Sequence, residues 1–183
     1  MIRLFVALNI PEAIKEQIKQ VRKNICPKDE NFNWETNSKI HLTLKFVGEV
    51  DDKLLIPIIE ELNFLSNFNE LFCNTSNFGF FFKNHEPRIL WIGLNIDKEI
   101  YSIVHELNER MIKFRVPKDE RTFKPHLTLL RIKQRVTAEF VEKFKQAESG
   151  RIQFTAGEVS LFQSKLSPMG STYKEIKKYY LKC

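Results

Sequence analysis

The tetrapeptide HLTL occurs twice in this chain, at 41–44 and at 126–129. The chain contains only four His, so a second copy that also begins at His needs an explanation. The similarity between the two regions extends towards the N-terminus, because "RLFVALNI" from Arg3 matches "RILWIGLNI" from Arg88 at nearly the same spacing. Matches that recur at one spacing indicate an internal duplication.

The pattern of apolar residues and turn signals supports a duplication of whole structural units. Each half, approximately 1–86 and 87–183, is predicted to contain the order strand, helix, strand, helix, strand, strand. The helices are too few for a doubly wound parallel sheet, so the pattern predicts an α+β fold with largely antiparallel sheets. We expect one bilobal domain, in which two antiparallel β-sheet lobes are related by a pseudo-two-fold axis. The 183 residues, of which 43% are hydrophobic, are sufficient for such a core.

Two local signals in the first half predict irregular elements. Pro57 lies inside the helical pattern of residues 52–66, so that helix is predicted to start late or to be kinked. The apolar segment after this helix is predicted to form two short strands, near 71–75 and 77–82.

The HLTL segments are predicted to be strands whose two faces differ in chemistry. Residues i and i+2 of a strand point to one face, so His41 shares a face with Thr43, and His126 shares a face with Thr128. The leucines between them are predicted to be core residues. If the two lobes face each other, two imidazoles and two hydroxyls converge in the cleft.

This constellation suits phosphoryl chemistry without a metal ion. In-line displacement at phosphorus needs the attacking and leaving oxygens on opposite sides, and a pseudo-two-fold axis places one His on each side. One neutral imidazole can accept a proton while one charged imidazole donates a proton. A cation could offset the developing charge. Simple alternation places Lys45 on the His41 face, and Lys124 and Arg131 lie close to the second motif in the sequence.

Other signatures of catalysis or cofactor binding are missing from the sequence. It has no H-E-x-x-H, G-x-S-x-G, Walker or G-x-G-x-x-G motif, and its three Cys form no C-x-x-C pair. No metal or cofactor is therefore expected. No signal peptide and no apolar run of membrane-spanning length are visible, so we expect a soluble, cytoplasmic protein. The net charge of +6 fits either an anionic partner, such as nucleic acid or a phosphorylated small molecule, or a Lys-rich solvated surface.

The two H-x-T motifs and the segments around them resemble the 2H phosphoesterase superfamily. Within it, the chain is similar to the RNA 2′,3′-cyclic phosphodiesterases, also called the 2′-5′ RNA ligase family. The resemblance covers nearly the whole chain and rests on "RLFVALNIP", "HLTLKFVGEV", "PRILWIGL", "FKPHLTLLRIK" and "VSLFQSKLSPMGSTYKEI". It implies a bilobal α+β fold with outer helices and a central active-site cleft. It also implies hydrolysis of RNA 2′,3′-cyclic phosphate ends to 2′-phosphomonoesters without a cofactor.

The same resemblance implies a role for each residue of the two motifs. His41 corresponds to the proton donor and His126 to the proton acceptor of a metal-independent acid–base mechanism. Thr43 and Thr128 correspond to the residues that bind the phosphate.

Two cations near the motifs are further candidates for substrate binding. Arg131 matches the arginine that follows the second motif in this family. Simple alternation places Arg131 on the leucine face, so either the strand bends there or the role of the arginine is indirect. Lys45 is a candidate because of its predicted place on the His41 face.

The expected partner is RNA that ends in a 2′,3′-cyclic phosphate, or a small cyclic nucleotide, bound by a monomer. Two other functions remain open on the sequence. One is the same chemistry on another substrate, such as reversible 2′-5′ RNA ligation or cleavage of another cyclic nucleotide. The other is a non-catalytic RNA-binding module that uses the basic cleft.

Overall fold

The computed structural model of the protein describes residues 1–27, 32–168 and 170–183. These residues form eight strands and four α-helices, joined by turns and short 3₁₀ segments. In chain order the elements are β1 (Ile2–Asn9), α1 (Glu12–Ile25), β2 (His41–Val50), α2 (Leu55–Glu61), β3 (Leu71–Lys83), β4 (Glu86–Ile96), α3 (Glu99–Met111), β5 (His126–Arg131), α4 (Ala138–Gln146), β6 (Gln153–Ala156), β7 (Glu158–Ser167) and β8 (Gly170–Tyr180).

The strands form two four-stranded sheets, one in each lobe of a bilobal α+β fold. The first sheet has the order β2-β1-β7-β8 and the second has the order β5-β4-β3-β6. Neighbouring strands pair antiparallel throughout. The predicted fold class is therefore confirmed. Each HLTL strand lies at an edge of its sheet, next to the strand that carries the matching "LNI" segment.

The lobes are not simply the two halves of the sequence, because each sheet combines strands from both halves. The first sheet takes β7 and β8 from the second half, and the second sheet takes β3 from the first half. A tight hairpin explains the second exchange. Lys83 pairs with Glu86 across a two-residue turn, in which Asn84 and His85 have φ values of 52° and 62°. This left-handed conformation at both positions matches the strand twist of antiparallel hairpins and keeps β3 beside β4.

The two irregular elements of the first half take a definite form. The helix α2 begins at Leu55, after the 3₁₀ segment Asp52–Leu54, and Pro57 lies in its first turn. The predicted late start is confirmed. Pro57 fits the first turn because a backbone N–H there would have no partner within the helix. The predicted pair of short strands is wrong, because Leu71–Lys83 is a single strand whose pairing with β4 slips at Ser76 and Asn77.

Apolar helix faces cover the sheets and complete the core. The buried stripe of α1 contains Ile14 and Ile18. The longer stripe of α3 contains Ile100, Ile103, Val104, Leu107 and Met111. No helix in the described ranges is long and apolar enough to cross a membrane.

Candidate active site

The HLTL strands present their leucines to the core and their polar residues to the opposite face. Leu42 and Leu127 are completely buried, whereas the His and Thr of each motif are only partly buried. Neither Thr43 nor Thr128 has a hydrogen-bond partner for its hydroxyl among the described residues. The predicted division into a core face and a polar face is confirmed for these positions, and it leaves both hydroxyls available to a ligand.

We expect the two faces to respond differently to truncation. Leu42→Ala or Leu127→Ala removes a fully buried side chain and should lower the free energy of unfolding by about 2–5 kcal/mol. Thr43→Ala or Thr128→Ala should leave the melting temperature nearly unchanged and lower the catalytic rate. A series of melting curves paired with activity assays checks this, and the opposite ranking would show that the strand faces are assigned the wrong way round.

A β-bulge interrupts the alternation at the same position in both motifs. The pairing of β2 with β1 skips Leu44, and the pairing of β5 with β4 skips Leu129. At a bulge, two consecutive residues of one strand oppose a single residue of the neighbouring strand. Lys45 and Leu130, which follow the skipped leucines, are consequently buried along with them. The residues directly beyond the bulge therefore lie on the face opposite to the one that simple alternation predicts, until in β2 a second shift skips Val47.

The bulge in β5 brings Arg131 to the polar face of the strand. The sequence left two alternatives for Arg131, a bend in the strand or an indirect role, and the bulge is such a bend. The side chain is half exposed, and its positive charge lowers the pKa of both His41 and His126. Its charge therefore lies close enough to both imidazoles to affect each of them.

The matching bulge in β2 has the opposite effect on Lys45, and the prediction that this residue lies on the His41 face is wrong. Its side chain is only 1% exposed and points to the leucine side. The ammonium group donates hydrogen bonds to Asn108 Oδ1 at 2.8 Å, to the carbonyl oxygen of Pro117 at 2.7 Å and to Asp119 Oδ2 at 3.0 Å. Lys45 thus links β2 to α3 and to the segment before β5, and these partners occupy its ammonium group.

His41 lies in a cluster of aromatic rings on the first sheet. Its imidazole stacks on Phe5, with ring centroids 5.0 Å apart, and on Phe162 at 5.9 Å. The ring of Tyr173 meets it edge-on at 5.4 Å. These three residues come from β1, β7 and β8, so the first sheet as a whole fixes the plane of the imidazole.

His126 is oriented by a backbone carbonyl group. Its Nδ1 lies 2.6 Å from the carbonyl oxygen of Lys124. Because a carbonyl oxygen can only accept, Nδ1 carries the proton in the neutral ring and Nε2 holds the lone pair. Phe81 meets the ring edge-on at 4.9 Å, and Trp91 lies at 6.1 Å. The second sheet therefore fixes both the position and the tautomer of this imidazole.

Two glycines make room for the side chains around His126. Gly93 pairs with His126 across the strands, and a Cβ atom at Gly93 would lie 2.4 Å from Ser76 Oγ. At Gly79, a Cβ atom would lie 2.3 Å from the indole ring of Trp91. A side chain at either glycine would displace these neighbours from the polar face of the second sheet.

Burial is the main reason why both imidazoles have a lowered pKa. Burial, followed by the charges of Lys15 and Arg131, lowers the pKa of His41 from 6.5 to about 4. Burial also lowers the pKa of His126, the carbonyl group of Lys124 opposes this effect, and the charges of Lys124 and Arg131 add to it. Both histidines are therefore neutral at pH 7 when no anion is bound.

A bound anion should reverse this shift, because its negative charge favours the imidazolium form. We expect sulfate, which does not itself titrate between about pH 5 and pH 8, to bind more tightly as the pH falls. We expect the bound anion to raise the pKa of His41 above its value in the free protein, so that binding takes up a proton. The logarithm of the affinity should rise by up to about 1 per pH unit for each proton taken up. Calorimetric titrations across this range test the slope, which His41→Ala should reduce and which a pH-independent affinity would contradict.

A cavity of about 250 Å³ adjoins His41 on the first sheet. Its walls are rich in polar groups, among them a hydroxyl, an amide, two ammonium groups and two carboxylates. The lining residues are Asn9, Ile10, Lys15, Ser38, Ile40, His41, Glu158, Phe162, Glu175 and Lys178. The cavity offers space for part of a ligand directly beside the imidazole.

Among the residues that the structure describes, the cysteines and the acidic side chains form no second catalytic or metal site. The thiol of Cys73 is buried, and burial, together with the charge of Asp97, raises its pKa to about 12. Within the described ranges, no group of three or more His, Cys, Asp or Glu side chains is placed to hold a metal ion.

Sequence reasoning did not identify the aromatic residues that hold the two histidines. Phe5 lies in a strand whose side chains are apolar on both faces, so alternation gives no signal there. Phe162 and Tyr173 lie inside the quoted segment "VSLFQSKLSPMGSTYKEI", but nothing in that segment indicates contact with His41. These residues meet His41 only because of the register in which their strands pair, and a single sequence does not show that register.

A family model and several curated proteins match this chain over most of its length. The model described as "LigT like Phosphoesterase" matches residues 8–91 and 92–173, and each match contains one HLTL motif. An RNA 2′,3′-cyclic phosphodiesterase of Methanocaldococcus jannaschii is 31% identical over 181 residues, which cover 97% of this chain and 99% of that protein. An RNA 2′,3′-cyclic phosphodiesterase of Thermotoga maritima is 25% identical, and the match covers 94% of this chain and 91% of that protein.

Solved structures with low sequence identity have the same fold. The protein TT0787 of Thermus thermophilus matches with a TM-score of 0.83 at 20% identity over 97% of each chain. LigT of E. coli in complex with 3′-AMP matches with a TM-score of 0.78 at 23% identity over 98% of each chain. The bilobal α+β arrangement is therefore shared with both proteins.

Proposed function

Because this chain belongs to the LigT-like phosphoesterase family, we propose that it hydrolyses RNA 2′,3′-cyclic phosphodiester ends to 2′-phosphomonoesters. The observation that carries this proposal is the pair of HLTL strands with matching bulges, which give each lobe one imidazole and one unbonded hydroxyl on its polar face. The RNA 2′,3′-cyclic phosphodiesterases of M. jannaschii and T. maritima support the same reaction by their similarity.

His126 acts as the proton acceptor in this reaction. Its Nδ1 is bonded to the carbonyl oxygen of Lys124, so Nε2 is available to take a proton from water. The activated water attacks phosphorus, and the bond from phosphorus to the ribose 3′-oxygen breaks on the opposite side. His41 gives its proton to that leaving oxygen. The product is a 2′-phosphomonoester with a free 3′-hydroxyl.

His41 acquires the proton it donates when the substrate binds. In the free protein its pKa is about 4, so the imidazolium form is scarce at neutral pH. The phosphodiester anion adds a negative charge beside the ring and raises this pKa. The imidazole of His41 therefore becomes charged only when the substrate is bound, and it stays neutral in the empty site.

The remaining polar groups hold the phosphate between the two histidines. Thr43 and Thr128 donate their hydroxyl protons to its non-bridging oxygens. Arg131 supplies a positive charge that offsets the negative charge of the transition state. With His41 as the acid, an in-line displacement requires the leaving ribose oxygen on the His41 side. The cavity of about 250 Å³ beside His41 supports this by offering space for the nucleoside.

The decisive experiment is a mass-spectrometric assay of a short RNA that ends in a 2′,3′-cyclic phosphate. Purified protein should add one water molecule and leave the phosphate on the 2′-oxygen, and exhaustive treatment with EDTA should not abolish the reaction. Loss of activity on chelation, with recovery on addition of Zn²⁺ or Mn²⁺, would contradict the two-histidine mechanism. Joining of RNA ends without hydrolysis would favour ligation, and binding without turnover would favour an RNA-binding module.

A further inference from the structure

A short segment before the first motif links the two lobes beside the candidate site. Trp34 forms a β-bridge with Leu130, and the backbone N–H of Glu35 donates a hydrogen bond of 2.9 Å to the carbonyl oxygen of Leu129. Leu129 is the residue that the bulge of β5 leaves out of its pairing with β4. The segment therefore docks at the bulge that brings Arg131 to the polar face.

The side chain of Glu35 extends this contact to the arginine itself. Its Oε1 lies 3.1 Å from Arg131 Nε, and its Oε2 lies 3.9 Å from Lys39 Nζ. The glutamate side chain is only 12% exposed, whereas the arginine side chain is 51% exposed. A carboxylate fixed by its own backbone thus holds one edge of a guanidinium group that is otherwise open to solvent.

The geometry leaves the other edge of the guanidinium group available. Neither terminal nitrogen of Arg131 has a hydrogen-bond or ion-pair partner among the residues that the structure describes. A guanidinium group is a planar fork that can bind two oxygens of a phosphate at once. An unrestrained arginine has many rotamers and must lose that freedom when it binds. The ion pair at Nε restrains the fork before the ligand arrives.

We propose that Glu35 is a positioning residue, which holds Arg131 through Nε so that its two terminal nitrogens face the phosphate of the substrate. This inference rests on the proposed function, because it takes the ligand to be the phosphate of a cyclic RNA end. Glu35 itself does not touch the substrate. Besides Arg131, the cations that act on the imidazoles are Lys15 on α1 and Lys124 before β5, and Lys39 lies beside Glu35.

The test is a double-mutant cycle on Glu35 and Arg131. Glu35→Ala should lower kcat/KM for the cyclic RNA end by about tenfold, because the ion pair that positions the guanidinium group is lost. Glu35→Gln, which keeps a polar oxygen beside Nε but not the negative charge, should recover part of this loss. In the Arg131→Ala background, Glu35→Ala should have almost no further effect. Glu139→Gln, which removes the charge from an exposed ion pair on α4, serves as the matched control and should behave as the wild type.

Two results would overturn the inference. One is a Glu35→Ala variant that melts as the wild type does and keeps its kcat/KM within about twofold. The other is an equal loss from Glu35→Ala with and without Arg131, since a residue that only supports the fold acts in both backgrounds. Sulfate affinity provides the same comparison without turnover, so the role of Glu35 can be judged even if the wild type hydrolyses no cyclic phosphate. That last outcome would refute the proposed function separately.

Discussion

His126→Ala and His41→Ala should each lower kcat/KM for a cyclic RNA end by about 10²–10⁴-fold, the contribution usual for general acid–base catalysis. The two losses should differ in how they respond to the leaving group. A ribose 3′-oxygen leaves as a strongly basic alkoxide and needs a proton from His41. An analogue whose leaving oxygen is an acidic phenol does not need this proton. His41→Ala should therefore recover most of its lost rate on the phenol analogue, whereas His126→Ala should stay slow.

The assignment of roles rests on an asymmetry that the duplicated sequence hides. The carbonyl group of Lys124 fixes the proton of His126 on Nδ1, which suits an acceptor. His41 is held by ring contacts with three aromatic residues. No described residue forms a hydrogen bond that fixes its tautomer. Single-turnover rates for both variants on both substrates test the assignment. Rescue of His126→Ala instead would reverse the roles, and rescue of neither would mean that the histidines act by positioning and charge.

The duplication and the alternation of strand residues were enough to predict the fold class, the buried leucines and the shared faces of the His–Thr pairs. These features depend on local periodicity, which the sequence displays directly. The prediction became wrong at the bulges. A bulge is a relation between two strands, and nothing in "HLTLKF" or "HLTLLR" alone shows that Leu44 and Leu129 lack a partner. One inserted residue exchanged the expected faces of Lys45 and Arg131.

The docking segment was beyond sequence reasoning for the same reason. Glu35 is six residues from His41 in the chain, but its partners Leu129 and Arg131 lie in the other half of the sequence. A single sequence does not show which residues from its two halves will pair in the folded protein. The exchange of β3 between the lobes could have been anticipated from the turn at Asn84, because asparagine tolerates a positive φ and favours a tight hairpin.

Lys45→Ala should be the most destabilising substitution of a charged residue in the described structure. The side chain is 1% exposed, and its ammonium group donates to Asn108, Pro117 and Asp119. Asn108 Oδ1 also accepts a hydrogen bond from the backbone N–H of Asp119 at 2.9 Å, so the lysine completes a network that joins β2 to α3 and to the segment before β5. Truncation removes these bonds and leaves a cavity, which should lower the free energy of unfolding by about 3–5 kcal/mol.

Lys45→Met should be far less harmful, and the comparison identifies what the lysine contributes. The duplicated motif has Leu130 at the equivalent position, so an aliphatic side chain fits beside a bulge of this kind. Methionine fills the space of the lysine stem and avoids the cost of burying a charge, while Asp119 is half exposed and can be hydrated. We expect the free energy of unfolding to fall by about 1–2 kcal/mol for Lys45→Met. For Lys165→Ala, an exposed strand lysine, it should change by no more than about 0.5 kcal/mol.

Urea unfolding of the three variants measures these free energies and gives the order of their stabilities. A Lys45→Ala variant as stable as Lys165→Ala would show that the lysine is not buried. A Lys45→Met variant as unstable as Lys45→Ala would show that β2 is held to α3 by the hydrogen bonds of the ammonium group and not by the filled volume.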